Sequence, residues 1–275
     1  MRHVRLRRPV AALWLAGLAL TAMGVAAGLL ARDVRLGLFG ATLTVELVAL
    51  VLVLRGRAHL QPGDDAHGTW TLLAAALGTR LLAELRVGVL YLDAIPAAIA
   101  DRPLARDIFV MGLRYLYTLG DLLLLVALWT ARRSFERSGL GYSLRPRDLG
   151  ALAVLAPLPV VTWAAQAALQ SDPTDPGIFM FRVISVVVGS VVSAMCLGLV
   201  SLSLQMGGGV LAWIWGSLAV AGIARVFAFV AASGLQALGV PTSTVVEQGL
   251  LWTFACAWLL AAGLHWRLVA TARRA

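Results

Sequence analysis

The chain has 275 residues, of which 60% are hydrophobic and only 13% charged, against about 25% charged in an ordinary soluble domain. Its net charge of +9 comes from 23 basic residues, all of them arginine; without lysine there is no Schiff base, which excludes a retinal-binding protein of the usual type. The apolar residues come in blocks of about 20, the helical length that spans about 30 Å of hydrocarbon, and strand-like alternation is absent, which excludes a membrane barrel. The expected fold is therefore all-α, a polytopic helical membrane protein.

Apolar runs and their charged or Pro/Gly-rich interruptions predict eight spans, at about 10–31, 36–54, 69–92, 107–130, 149–170, 178–204, 209–232 and 245–267. The first is read as a span rather than a cleaved signal, because its apolar run is about twice the usual signal core. Gly24 and Gly28 give it a small-residue packing face. After the second span, His59, Asp64, Asp65 and His67 share a loop whose spacing matches no closed zinc pattern, so it is read as solvated and no metal is expected. The segment Asp93–Arg106, with Pro96 and Pro103, is expected to lie along the membrane surface. Pro157 and Pro159 interrupt the fifth span, and Gly207, Gly208 and Gly209 form a turn before the seventh. Cys196 and Cys256 fall in separate spans and read as small packing residues.

Arginines in alternate loops divide fourteen to four, with Arg2, Arg5, Arg7, Arg8, Arg55, Arg57, Arg132, Arg133, Arg137, Arg145, Arg147, Arg267, Arg273 and Arg274 on the richer side. The positive-inside rule then places both termini in the cytoplasm and the protein in the inner (plasma) membrane. Charge lying beside spans speaks against nucleic acid as a partner. The whole chain, 1–275, reads as one integral membrane domain with no soluble domain appended, so a receptor carrying its own kinase or cyclase is not expected. A weak repeat relates the halves 1–140 and 141–275: Trp70 precedes Arg80 by ten positions, as Trp215 precedes Arg225. With four spans in each half, the two would be parallel, related by an axis along the membrane normal.

The chemistry lies in charges within the spans. A charge at the bilayer centre costs at least about 2.5–3.5 kcal/mol, so such residues face a protein interior and mark a site. Arg80 and Glu84 share a face of the third span, with Arg86 turned away. Arg114, Tyr117, Thr118 and Asp121 form one stripe of the fourth, and Arg182 stands above a face of small residues on the sixth. In the predicted topology Arg86, Arg114, Arg182, Arg225 and Glu247 lie in the outer part of the membrane, and Glu46, Arg80, Glu84 and Asp121 nearer its middle. Guanidinium is permanently charged and offers a planar donor fork for carboxylate or phosphate. The expected site is an outward-facing pocket in which Arg86, Arg114, Arg182, Arg225, Glu247 and Tyr117 bind an anionic substrate, lipid-like or bearing a phosphate or carboxylate, supported by Glu46, Arg80, Glu84 and Asp121.

The competing reading pairs these charges within the bundle, as Arg80–Glu84, Arg114–Asp121 or Arg225–Glu247. His265, beside Trp266, reads as an aromatic-boundary residue, and a lone intramembrane histidine leaves no bis-histidine haem; no cofactor is expected. Translocation of the anion is the leading function. The alternatives are an integral-membrane enzyme on a lipid-linked phosphate or acyl group, its catalytic residues unassigned, and a non-catalytic membrane subunit or sensor module with a protein partner on the basic cytoplasmic face.

Overall fold

A computed structural model describes residues 34–91, 103–140, 176–207, 209–237 and 243–272, with scattered positions between 150 and 167. Among the described residues there are six long helices and no strand: α1 Val34–Arg57, α2 Asp65–Tyr91, α3 Pro103–Arg137, α4 Pro176–Gln205, α5 Val210–Ala237 and α6 Ser243–Ala272. They match the second, third, fourth, sixth, seventh and eighth predicted spans. The first span, with Gly24 and Gly28, and most of the fifth, including Pro159, lie outside the described residues.

Local chemistry sets the helix ends. Pro103 and Pro176 open α3 and α4, where a missing N–H costs nothing and the fixed φ suits the first turn. Pro103–Arg106, the end of the segment expected along the membrane surface, is therefore the first turn of α3; the rest of that segment, 93–102, lies outside the described residues. At its other end α3 continues beyond the predicted span to Arg137, held by an Arg132–Glu136 pair at 2.7 Å and by Arg137 donating to Asp65 at 3.0 Å. Gly139 then adopts φ 78°. Its N–H bonds the Glu136 carbonyl and that of Leu140 bonds Phe135, the Schellman arrangement that only a glycine-compatible residue closes without strain. Gly207 and Gly209, at φ 90° and 74°, make the tight α4–α5 turn in the same way.

Each helix packs on the next in the chain, and α6 returns to α1, so the six close into a ring. Burial runs opposite to that of a soluble protein. Leu47, Val51 and Leu54 on α1, Leu119, Leu122 and Val126 on α3, and Ile184, Val187 and Val191 on α4 are exposed, whereas Glu46, Arg80, Glu84, Asp121, Ser193 and Arg225 are buried inside. Among the described residues four helices, within Phe39–Arg57, Val183–Gln205, Val210–Ala231 and Val246–Ala272, are long and apolar enough to cross a membrane. The chain is thus a membrane-embedded helical protein.

Small residues let the helices approach closely. A Cβ on Gly189 of α4 would meet Val226 of α5 at 2.8 Å, and one on Gly222 would run into the Ser193 hydroxyl. A Cβ on Gly120 of α3 would meet the Ala76 carbonyl and the Thr79 hydroxyl of α2 at 3.0 and 2.9 Å. Lipid is as apolar as leucine, so membrane helices associate by such close packing instead of by hydrophobic burial. Cys196 is fully buried in the main core among Val192, Leu199 and Leu218, the packing role expected of it.

Candidate functional site: a buried charge cluster inside the helix ring

Two arginines organise the interior. Arg80 of α2 points between α1 and α6. Its Nε donates to Glu46 Oε1 of α1 at 3.2 Å, and Glu84, one turn further along its own helix, lies 3.9 Å away. The guanidinium lies over the Phe254 ring of α6 at 3.9 Å and within 5.5 Å of the Tyr117 ring of α3. Arg80 therefore has two carboxylates and two aromatic faces around it, from four of the six helices. A guanidinium suits such a place because it is weakly hydrated and stacks as well as donates. Glu46 has no exposure at all, and its second oxygen has no hydrogen-bond partner among the described residues.

Arg225 of α5 is the second centre. Both of its terminal nitrogens reach Asp121 of α3, one at 2.7 Å to Oδ2 and the other to Oδ1, a bidentate pair across the ring. Arginine and acid are only 4% and 5% exposed. Bidentate guanidinium–carboxylate pairs add directional specificity to charge. The Nε of Arg225, however, is buried without a partner among the described residues. Arg225 also lines a small crevice of about 10 Å³, room for about one water, with Val192 and Cys196 of α4, Leu218 of α5, and Phe254 and Trp258 of α6. Apart from the guanidinium, these walls are apolar or weakly polar.

Among the described side chains, then, three carboxylates and two guanidiniums are buried together. The pairings differ from those that sequence spacing suggested. Arg80 is held chiefly by Glu46 from a neighbouring helix, and Arg225 takes Asp121, which the sequence placed at another depth and beside Arg114. Glu247 is half-buried on α6 and has a partner of its own. Tyr117 is buried, within reach of Arg80 and tilted against Phe181 at 5.8 Å. Arg86, Arg114 and Arg182 belong to α2, α3 and α4, but their side chains lie outside the described residues. The structure thus brings Glu46, Arg80, Glu84, Tyr117, Asp121 and Arg225 into one interior.

His265 does not serve a membrane boundary. It is 4% exposed and stacks on Trp70 of α2, with ring centroids 3.4 Å apart, because it shares the inward stripe of α6 with Glu247, Phe254 and Trp258. Phe254 and Trp258 were not among the expected site residues, although they stand seven and eleven positions after Glu247 and so on its face. Near the α1–α2 loop, Arg57 donates to Thr71 at 2.8 Å. Asp64 Oδ2 accepts the Gln61 N–H at 3.2 Å, and Asp65 is taken up by Arg137. Comparison with protein-family profiles, curated proteins and solved structures finds no match for this chain.

Proposed function

We propose that the protein binds and translocates an anionic, lipid-like substrate, with Arg225 at the inner end of the headgroup site. The observation that carries this reading is Arg225, a buried guanidinium beside an apolar and aromatic crevice, whose Nε has no partner among the described residues. A buried cationic donor left without an acceptor suits an anionic group. In this reading Arg86, Arg114, Arg182 and Glu247 complete the site towards the outer leaflet, and Arg80, clamped between Glu46 and Glu84, is structural. The chain crosses the inner membrane eight times with both termini in the cytoplasm, and a protein partner would meet the basic inner face around Arg132–Arg147.

A parallel four-plus-four repeat would advance every described helix by three places, carrying α1, α2 and α3 onto α4, α5 and α6, and the ring is compatible with that. The same operation carries Trp70 and Arg80 onto Trp215 and Arg225, all four of them buried. A pathway near the axis of such a pair is where parallel-repeat transporters place their substrate.

The test is uptake by vesicles containing the purified protein. Arg114→Gln, Arg182→Gln and the charge-balanced double variant Asp121→Asn/Arg225→Gln should each reduce uptake of anionic amphiphiles about 10- to 100-fold, the equivalent of one charge-assisted bond of about 1.5–3 kcal/mol. Unchanged uptake in all three refutes the proposal.

A further inference from the structure

Backbone contact around the ring is uneven. It is dense between α2 and α3, and again from α4 to α5, α5 to α6 and α6 to α1, but sparse at two seams, between α1 and α2 and between α3 and α4. The glycines follow the same division. Among the described glycines, those whose Cβ would collide with a neighbouring helix are Gly120 where α3 meets α2, Gly189 and Gly222 where α4 meets α5, and Gly56 where α1 meets α6. None of these contacts crosses a seam. Composition divides the helices in the same way: the four described helices apolar enough to cross a membrane are α1, α4, α5 and α6, which leaves α2 and α3 apart. We propose that the ring consists of two rigid bodies, the α2–α3 pair and the α4–α5–α6–α1 group, which move against each other at the two seams and are latched by the ion pairs Arg80–Glu46 and Arg225–Asp121. The inference goes beyond the anion-binding reading and does not depend on it.

Contacts of another kind join the two bodies. Arg80 of α2 reaches Glu46 of α1 at 3.2 Å and lies over Phe254 of α6, and Arg57 of α1 donates to Thr71 of α2 at 2.8 Å. Trp70 of α2 stacks on His265 of α6. Arg225 of α5 holds Asp121 of α3 with two bonds, and Tyr117 of α3 tilts against Phe181 of α4 at 5.8 Å. A guanidinium on its flexible stem, or a ring against a ring, can part and meet again by side-chain movement alone. A helix seated on a glycine of its neighbour has no rotamer to move aside, so those interfaces stay closed while others hinge or shear. The α2–α3 pair is tied further by Thr69 with Thr130 at 3.2 Å and Arg137 with Asp65 at 3.0 Å, and so moves as one piece.

Buried ion pairs suit a latch. Separating one in a dry interior strands both charges. Parting of the bodies instead admits water between them, so that each charge is hydrated as its partner leaves, which brings the open state within reach of the closed one. On closure, the directional fit of guanidinium to carboxylate restores a single register, which apolar contact alone does not specify. The seams do not follow the two halves of the proposed repeat, because α1 is seated on α6; packing sets the bodies, not chain order.

Distances between nitroxide labels, measured by double electron–electron resonance in nanodiscs, test this without any substrate. On a Cys196→Ala/Cys256→Ala background, labels at Leu47 and Leu82 span the α1–α2 seam, and labels at Leu122 and Val187 span the α3–α4 seam; all four positions are exposed. The pairs Leu82 with Leu122 and Leu47 with Val187 each lie within one body and serve as controls. Glu46→Gln and Asp121→Asn each remove the charge of one latch with almost no change of shape. Each should raise the population of longer distances across its own seam about tenfold, the equivalent of about 1.4 kcal/mol, while both control distances keep their wild-type positions and widths. Control distances that change as much as those across the seams overturn the proposal, as do seam distances identical to wild type in both variants. If neither variant folds, the pairs belong to one indivisible core, and the proposal is equally refuted.

Discussion

Replacing Arg80 by Met should be the most damaging single change to the interior of the ring, and its cost can be assembled from its neighbours. Glu46 has no exposure, and Arg80 is its only hydrogen-bond partner among the described residues. Breaking a buried ion pair by removing one partner costs about 3–5 kcal/mol, because the other charge is left uncompensated. Loss of the guanidinium from the Phe254 face at 3.9 Å adds about 1 kcal/mol. Met fills most of the vacated volume, so a cavity contributes little, and the sum is about 4–6 kcal/mol. The argument places most of this on the stranded carboxylate, so the double variant Arg80→Met/Glu46→Leu should recover at least half, as buried pairs replaced by apolar residues commonly do. A double-mutant cycle measured by denaturant unfolding in mixed micelles reads both quantities. A single-variant cost below about 1 kcal/mol, or a double variant no more stable than Arg80→Met, would refute the reasoning.

Other expectations follow from packing and topology. Gly222→Val should cost about 1–3 kcal/mol by forcing α4 and α5 apart at Ser193, whereas Gly216→Ala, with Val200 at an ordinary 3.9 Å, should be nearly neutral; thermal unfolding compares the two. Trp70→Ala should cost about 3–5 kcal/mol, because the ring is 5% exposed and stacked on His265. His265→Phe, which preserves a stack and removes an unpartnered buried Nδ1, should leave stability within about 1.5 kcal/mol of wild type in the same unfolding assay. Arg137→Ala, by contrast, breaks only an exposed pair with Asp65 and should change stability by no more than about 1 kcal/mol. With Cys196 and Cys256 replaced by Ala, a cysteine at Asp64 should react with an impermeant thiol reagent only from the cytoplasmic side and one at Thr242 only from outside; labelling of both from one side would overturn the proposed topology.

Helix positions could be read from the sequence because they depend on local quantities. Runs of apolar residues about 20 long, bounded by arginine, proline or glycine, determine where a chain enters and leaves hydrocarbon, and α1, α2 and α4–α6 stand within five residues of the runs that predict them. The largest departure, the extension of α3 to Arg137, has a local cause in the Arg132–Glu136 pair and the Gly139 cap. It was equally legible that Glu46, Arg80, Glu84, Asp121 and Arg225 must turn inward, since a charge left facing lipid is too costly.

Partnership among those charges was not legible. Spacing along one helix finds Arg80 with Glu84 but is blind to Glu46, which arrives from α1, and it offered Arg225 to Glu247 when Asp121 holds it from across the ring. Which carboxylate meets which guanidinium depends on the rotation and depth of six helices at once, and close contacts such as Gly120 on Ala76 and Gly189 on Val226 set these. The same rotation turns His265 onto Trp70 and opens the crevice beside Arg225. Hydropathy is a property of each segment, so the sequence alone determined a helical membrane protein with an interior of charge. Pairing is a property of how segments meet, and only the tertiary structure decided which arginine is locked and which borders an apolar cleft.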